Sequence, residues 1–342
     1  MKRKDVSRLG ALLLVLLAGF MTVGCVGGKH HKRSLLTPSS SGTPYEVMVV
    51  ADNNVWAGKA GRALDDVLNT PIPMLPQREP TFHVSRVDFA HYNRITNLFR
   101  NIIILQQNSH YTKPKISIEH NVYSEPQAIM TIQGPNLDEL AEYITSSRRI
   151  IIQYFYAEEV NRYATDLEDK YNKAFYDKCK EMFGCEFCIP ADINKMKVGK
   201  DFIWASNDGI STVQSICIYS YPYVSEKVFS RHSFIGIRDK FMQENIPGEH
   251  EGEWMQTNPE FVSLKDINSR GVYIQEARGL WTMRNAAMGG PFVSHSLVDT
   301  LNGRIVVAEA FVYAPQKMKR TMIRRLEATL FTLKLPGARN EE

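Results

Sequence analysis

Pro291-Phe-Val-Ser-His-Ser-Leu-Val298, Asn302-Gly303 and Arg304-Ile-Val-Val-Ala-Glu-Ala-Phe-Val-Tyr313 together decide the fold. Two runs rich in β-branched and aromatic residues flank an Asn-Gly step, whose tolerance of positive φ suits a tight hairpin. The two strands are therefore antiparallel. Val272 to Met283 supplies a third strand just upstream, and Lys200-Asp-Phe-Ile-Trp-Ala205 with Ser215-Ile-Cys-Ile-Tyr-Ser220 supplies an earlier pair. Between them Arg231 to Glu244 reads as a helix carrying Phe234, Ile235, Arg238 and Phe241, closed by Pro247-Gly248. Beyond Pro315, Met318 to Leu333 reads as a last helix with Met322, Leu326, Thr329, Leu330 and Leu333 inward. The order ββαβββα suits an antiparallel sheet with helices on one face.

Upstream, residues 44–184 read as a second α+β unit. Tyr45-Glu-Val-Met-Val-Val-Ala51 is an apolar strand, and Asp52, Asn53 and Asn54 offer caps for a helix through Trp56, Ala60, Leu64 and Val67. Phe82 to Phe89 alternates as a strand, Ile102 to Leu105 is another, and Ile116 to Ile118 pairs with Ala128 to Ile132. Strands and helices mix without a regular βαβ repeat. Asn136 and Glu139 have capping-box spacing, and an apolar stripe runs on through Val160, Leu167, Cys179 and Met182 to a natural stop at Gly184. The expected organisation is thus 44–184 and 185–336, with 337–342 as a tail.

The N-terminus carries a different signal. Lys2, Arg3, Lys4 and Arg8 precede a short apolar run, Leu9 to Met21, and then Thr22-Val23-Gly24-Cys25. The run is too short to span a bilayer core of ~30 Å, which needs ~20 apolar residues, and it has the length of a signal-peptide core. Gly24-Cys25 resembles the bacterial lipobox, in which the cysteine is acylated. Thr22 departs from the usual leucine. Residues 1–24 are therefore expected to be a lipoprotein signal peptide, with Cys25 the lipid-attachment residue and residues 25–43 a Gly/Ser/Pro-rich tether. The formal charge of +4 comes mostly from that leader, and no clustered basic face suggests nucleic acid.

Three groups of residues carry a family resemblance. They are Pro44-Tyr45-Glu46-Val47 leading to Trp56; Leu75-Pro-Gln-Arg-Glu-Pro-Thr-Phe82 with Arg100-Asn101-Ile102; and Arg278-Gly279-Leu280-Trp281 with Met288-Gly-Gly-Pro-Phe292, followed by Phe311 to Pro315 and Lys319-Arg320. Over nearly the whole mature chain they resemble a family of Bacteroidota lipoproteins known as domain of unknown function 4837. That resemblance implies a cell-envelope location and no activity. The strand order is also loosely similar to PsbP/Mog1-like folds, a likeness of fold alone.

Candidate chemistry is sparse. Glu309 sits mid-strand, where a lone carboxylate is costly to bury, so it needs a partner. Alternation puts Glu276 and Arg278 on one face of a neighbouring strand. The expectation is a Glu309–Arg278 pair that either lines a ligand cleft with Trp281 or serves as a structural ion pair. Cys185-Glu-Phe-Cys188 follows a helix end rather than opening one, and no second ligand pair completes a zinc site. It reads as a local disulfide or as partly buried thiols. Met288-Gly-Gly-Pro291 lacks the Lys-Ser/Thr of a phosphate loop and reads as a turn. His232, His295, Ser294 and Ser296 have no nucleophile elbow around them. Glu249, Glu251 and Glu253 read as solvated, and Gln77-Arg78-Glu79, between prolines, as a rigid connector.

The reading is a lipid-anchored envelope protein facing the periplasm, held in the inner leaflet of the outer membrane. It would be a non-enzymatic binding or assembly module with no cofactor and no metal, meeting the membrane through its lipid and an envelope protein as partner. The rival is an envelope hydrolase with a site assembled from distant residues.

Overall fold

The computed structural model describes residues 37–207, 209–269 and 271–337, so the expected signal peptide, Cys25, the tether before residue 37 and the last residues of the tail lie outside the described residues. The first sheet is built from Glu46–Val50 (β1), His83–Val87 (β2), Asn101–Gln107 (β3), Lys115–His120 (β4) and Ala128–Gly134 (β5), in the order β2-β1-β3-β5-β4. Parallel pairing joins β2, β1, β3 and β5, and only β4 runs antiparallel, as the hairpin partner of β5. Asn53–Ala57 (α1) and Lys59–Leu68 (α2) make the crossover from β1 to β2. Leu137–Ser146 (α3) and Arg148–Asp169 (α4) follow the sheet, and Leu140, Ile144, Ile151 and Phe155 pack with Leu64, Val49 and Ile103 on one face. Asn136 caps α3 as its spacing predicts: its Oδ1 accepts from the Asp138 and Glu139 amides, and its amide donates to Glu139 Oε1 at 2.8 Å.

The second sheet is antiparallel throughout. It comprises Lys195–Gly199 (β6), Phe202–Ser206 (β7), Val213–Pro222 (β8), Met255–Ser269 (β9), Val272–Met283 (β10), Gly289–Asp299 (β11) and Arg304–Tyr313 (β12), in the order β6-β7-β8-β12-β11-β10-β9. Lys173–Phe183 (α5), Arg231–Asn245 (α6) and Arg320–Leu330 (α7) cover it. The fold class is α+β, with the C-terminal antiparallel sheet that the hairpin demanded. Gly303 takes φ +61° at the turn into β12, and Gly184 takes φ +62° to end α5.

Three details differ from expectation. β6 and β9 are additional strands, one at each edge, and their largely exposed polar residues give weak alternation. Helices lie on both faces of the sheet: Val306, Ala308 and Val312 pack under α5 and α7, while Ile305, Val307 and Phe311 pack under α6. Finally, α5, expected to close the N-terminal unit, contributes Phe175, Cys179 and Phe183 to the core of the second sheet. Gly289 and Gly290 belong to β11; a Cβ on Gly290 would lie 1.9 Å from the Val312 carbonyl oxygen, so the residue serves close strand approach.

Candidate functional site

Register decides which charges can meet. Glu309 lies opposite Ser294, and Ser294 opposite Ala277, so Glu309 shares a face with Trp281 under α6. Arg278 lies opposite Val293, and Val293 opposite Ala310, on the face under α7. The sheet therefore separates Arg278 from Glu309, and neither their pair nor the cleft of Arg278, Trp281 and Glu309 forms. Glu309 instead meets Arg238 of α6. The Arg238 Nε donates to both carboxylate oxygens at 3.0 Å, and Nη2 donates to Oε1 at 2.7 Å. Nη1 donates to Thr257 Oγ1 at 2.9 Å, and the guanidinium sits 4.1 Å from the centre of the Phe292 ring. Both charged side chains are fully buried. Trp281 packs edge-on against Phe311, with ring centres 5.9 Å apart.

Under α7, Arg278 holds Glu276 side-on: Nε donates to Oε1 at 2.8 Å and Nη2 to Oε2 at 2.9 Å. Glu276 and Arg278 do share one face, as alternation requires. Arg278 also donates to Glu327 of α7, which accepts from Arg324 Nη1 at 3.1 Å and from the Tyr156 hydroxyl of α4. Burial would push the Glu327 carboxyl up, but Arg278 and Arg324 outweigh it and hold it down at about 2. His295 completes this cluster. It is fully buried against Phe331, 3.9 Å from Glu276, and neither ring nitrogen has a hydrogen-bond partner. Burial lowers its pKa to about 4 despite the carboxylates nearby.

Arg324 of this cluster also lines a cavity of about 140 Å³. Helical spacing builds it. Glu159, Tyr163 and Asp166 recur along one side of α4, and Thr321, Arg324, Arg325 and Ala328 along one side of α7. Pro44, Tyr45 and Arg100, from the segments entering β1 and β3, complete the lining. Tyr45 takes φ +61°, an uncommon conformation for an aromatic residue. Its hydroxyl is buried without a hydrogen-bond partner, as is Arg324 Nε. Tyr45 is 5% exposed and Arg324 6%, so neither group is satisfied by bulk water. Glu159 is locked, accepting from Asn101 Nδ2 and Arg162 Nη1 at 2.8 Å each, with Arg100 Nε at 3.0 Å. Arg325 donates to the Tyr163 hydroxyl at 2.7 Å and pairs with Asp192.

Glu79 fixes where α7 starts. Its buried carboxylate accepts from the backbone amides of Lys319 at 2.7 Å and Arg320 at 2.8 Å, which satisfies and neutralises that helix N-terminus. The connector Gln77-Arg78-Glu79 thus reaches across to the C-terminal part, with Gln77 also accepting from Lys319 Nζ at 2.8 Å. Cys179, Cys185, Cys188 and Cys217 are free thiols; of the two readings kept for the Cys185/Cys188 pair, the structure has the thiols. Burial pushes Cys185 up to about 12 and Cys188 up to about 11, far from a reactive thiolate. Sequence reading missed Tyr45, Glu159, Tyr163, Arg324 and Arg325 as a group. The polar spacing in α7 beside its apolar stripe was the available signal.

Residues 172–332 match the family model described as Domain of unknown function (DUF4837), and residues 40–168 match a separate one, Domain of unknown function (DUF8532). The resemblance seen in the sequence therefore holds for the C-terminal part, while the motifs around Tyr45 and Pro76 fall under the other model. The two matches divide at the end of α4, which agrees with α5 packing into the second sheet. No curated protein matches the chain. Among the described residues, no helix is long and apolar enough to cross a membrane.

Proposed function

We propose that this chain is a lipid-anchored protein of the bacterial cell envelope, tethered through Cys25 and facing the periplasm. It acts there as a binding or accessory module rather than as a hydrolase. The cleft between α4, α7 and Tyr45 carries this reading: it gathers residues from both matched regions, and its lining residues Tyr45 and Arg324 each carry a buried donor that the protein itself leaves without a partner. A buried polar group of that kind is costly unless something pairs with it. The site suits holding better than proton transfer, because its buried carboxylate, Glu159, is immobilised by two hydrogen-bond donors and an ion pair with Arg100. The basic, apolar and Gly24-Cys25 pattern at the N-terminus supports the anchor.

The test is acyl labelling and affinity capture of the full chain from gently solubilised envelope, beside Cys25→Ala. The expected result is label on the native protein alone, with a stoichiometric companion lost from the variant. Equal label on both would remove the anchor from this reading.

A further inference from the structure

Residues 37–42 run beside the two loops that lead into β3 and β5. Ser41 N donates to the Leu98 carbonyl at 2.8 Å, Arg100 N to the Ser41 carbonyl at 2.9 Å, and Glu125 N to the Pro38 carbonyl at 2.9 Å. Isolated bridges pair Ser41 with Phe99 and Ser39 with Glu125. The N-terminal segment therefore enters the folded body along these loops, at the end of the first sheet where β3 and β5 start. Backbone hydrogen bonds fix that point of entry.

The same two loops expose apolar side chains. Ile95 is 72% exposed, Val122 45% and Tyr123 42%. The loops are bound to each other: Gln127 Nε2 donates to the Asn97 carbonyl at 2.6 Å, and Ser124 Oγ donates to the Leu98 carbonyl at 3.0 Å. The Tyr92 and Tyr123 rings meet edge-on, with centres 6.4 Å apart. Arg94 is exposed beside Ile95, and across Tyr92–Phe99 and Asn121–Gln127 the one acid, Glu125, is half-buried. These residue types suit the boundary of a bilayer. Aliphatic groups enter toward the acyl chains, while a tyrosine hydroxyl and a guanidinium stay among the headgroups.

What covers this edge follows from the chain that precedes it. Residues 26–36 are all that separates Cys25 from Thr37, a reach of at most about 40 Å however they are arranged. They include Lys29, Lys32 and Arg33, which anionic headgroups attract. A lipid on Cys25 would concentrate the loop edge at the bilayer surface, where a second, weak contact gains from the first.

We propose that the edge formed by Ile95, Val122 and Tyr123 docks on the surface of the bilayer that holds the anchor, among anionic headgroups. The proposal rests on the reading of Cys25 as the lipid-attachment residue, and it assigns the surface of the folded body that meets the membrane.

The experiment places the full chain, as isolated from membranes, in vesicles of phosphatidylethanolamine and phosphatidylglycerol. A trace of the phosphatidylglycerol carries a diazirine near the headgroup end of its acyl chain. Photolysis and peptide mapping are expected to put lipid adducts on residues 91–98 and 121–126. Adducts instead on the segments exposing Ile210, Val224 or Leu301 would overturn the proposal. The same map reports the acyl group on Cys25, which keeps the two readings apart. Acylated Cys25 with unlabelled loops ends this proposal and leaves the anchor; labelled loops without an acyl group end the anchor and leave the docking surface. Ile95→Ser with Val122→Ser changes exposed side chains and is expected to leave the melting curve and the acyl group as they are. Its adduct yield on the neighbouring Tyr123 is expected to fall about fivefold to tenfold. An undiminished yield would mean that these side chains do not hold the edge at the membrane, and the proposal fails.

Discussion

The two faces of the seven-stranded sheet both bury charge under a helix, yet they resolve it in opposite ways. Under α6, one guanidinium meets one carboxylate. Burial pushes the Glu309 carboxyl up, with Asp239 adding to the rise, and Arg238 with the Tyr219 hydroxyl does not bring it back down. Under α7, Glu327 receives two guanidiniums and a tyrosine hydroxyl, and its pKa falls instead. The comparison shows that the number of guanidiniums around a buried carboxylate, and not burial alone, sets the direction in which its pKa moves. It also separates a closed pair, complete within the core, from an open cluster one of whose arginines, Arg324, lines a cavity.

The largest break in that comparison is Arg238→Ala. It strands a fully buried carboxylate and is expected to cost about 3–5 kcal/mol in urea unfolding. Replacing both partners with apolar residues of similar volume, Arg238→Met with Glu309→Leu, is expected to recover most of that loss. A cost below about 1 kcal/mol for the single change would mean that the α6 face is not the closed one.

The open face is distinguished by its response to acid. His295 has a folded pKa of about 4 against an ordinary 6.5, so between those values the unfolded chain takes up a proton that the folded chain refuses. Its stabilising contribution is full above about 6.5 and is lost as pH falls toward 4, a difference of roughly 3 kcal/mol. Glu276 and Arg278 from β10, and Glu327 and Arg324 from α7, are the charged groups of the surrounding cluster. Glu327 adds its own loss lower down, from its ordinary 4.5 toward about 2. Urea titrations of His295→Leu from pH 7 to 4 are expected to give a flatter profile than the native chain. An unchanged slope would take His295 out of the account.

The sequence announced the closed face poorly and the open one hardly at all. Asn302-Gly303, Asn136 with Glu139, and Gly184 acted locally, and each formed as its chemistry requires. The edge strands β6 and β9 escaped notice because exposed Lys-Met-Lys-Val-Gly and a strand interrupted by Pro259 carry little alternation. The partner of Glu309 depended on which face α6 would cover. No local pattern encodes that choice, although Arg238 was already visible at core-facing spacing in that helix. The cleft was harder still. Tyr45 and Arg324 lie near opposite ends of the chain, and they meet where α7, its start held by Glu79, packs back. Each residue alone reads as an ordinary strand or helix side chain.

Two tyrosines sharpen the contrast within the α7 face itself, since Arg324 lies near both rings while their hydroxyls differ. The Tyr156 hydroxyl donates to the Glu327 carboxylate, and a hydrogen bond to a charged group contributes ~1.5–3 kcal/mol. Tyr156→Phe is therefore expected to lower stability by about 2 kcal/mol. The Tyr45 hydroxyl is buried and donates to nothing in the protein. Removing it relieves an unmet desolvation cost, so Tyr45→Phe is expected to leave the ligand-free chain as stable as before or more stable, by up to about 1 kcal/mol. The same atom changes sign because its partner differs. Paired unfolding curves decide the matter: if both variants lose stability equally, the Tyr45 hydroxyl has a structural partner and the cleft is closed like the α6 face. If only Tyr156→Phe loses stability, the Tyr45 hydroxyl has no partner within the fold, and the α7 face stays open where the α6 face is closed.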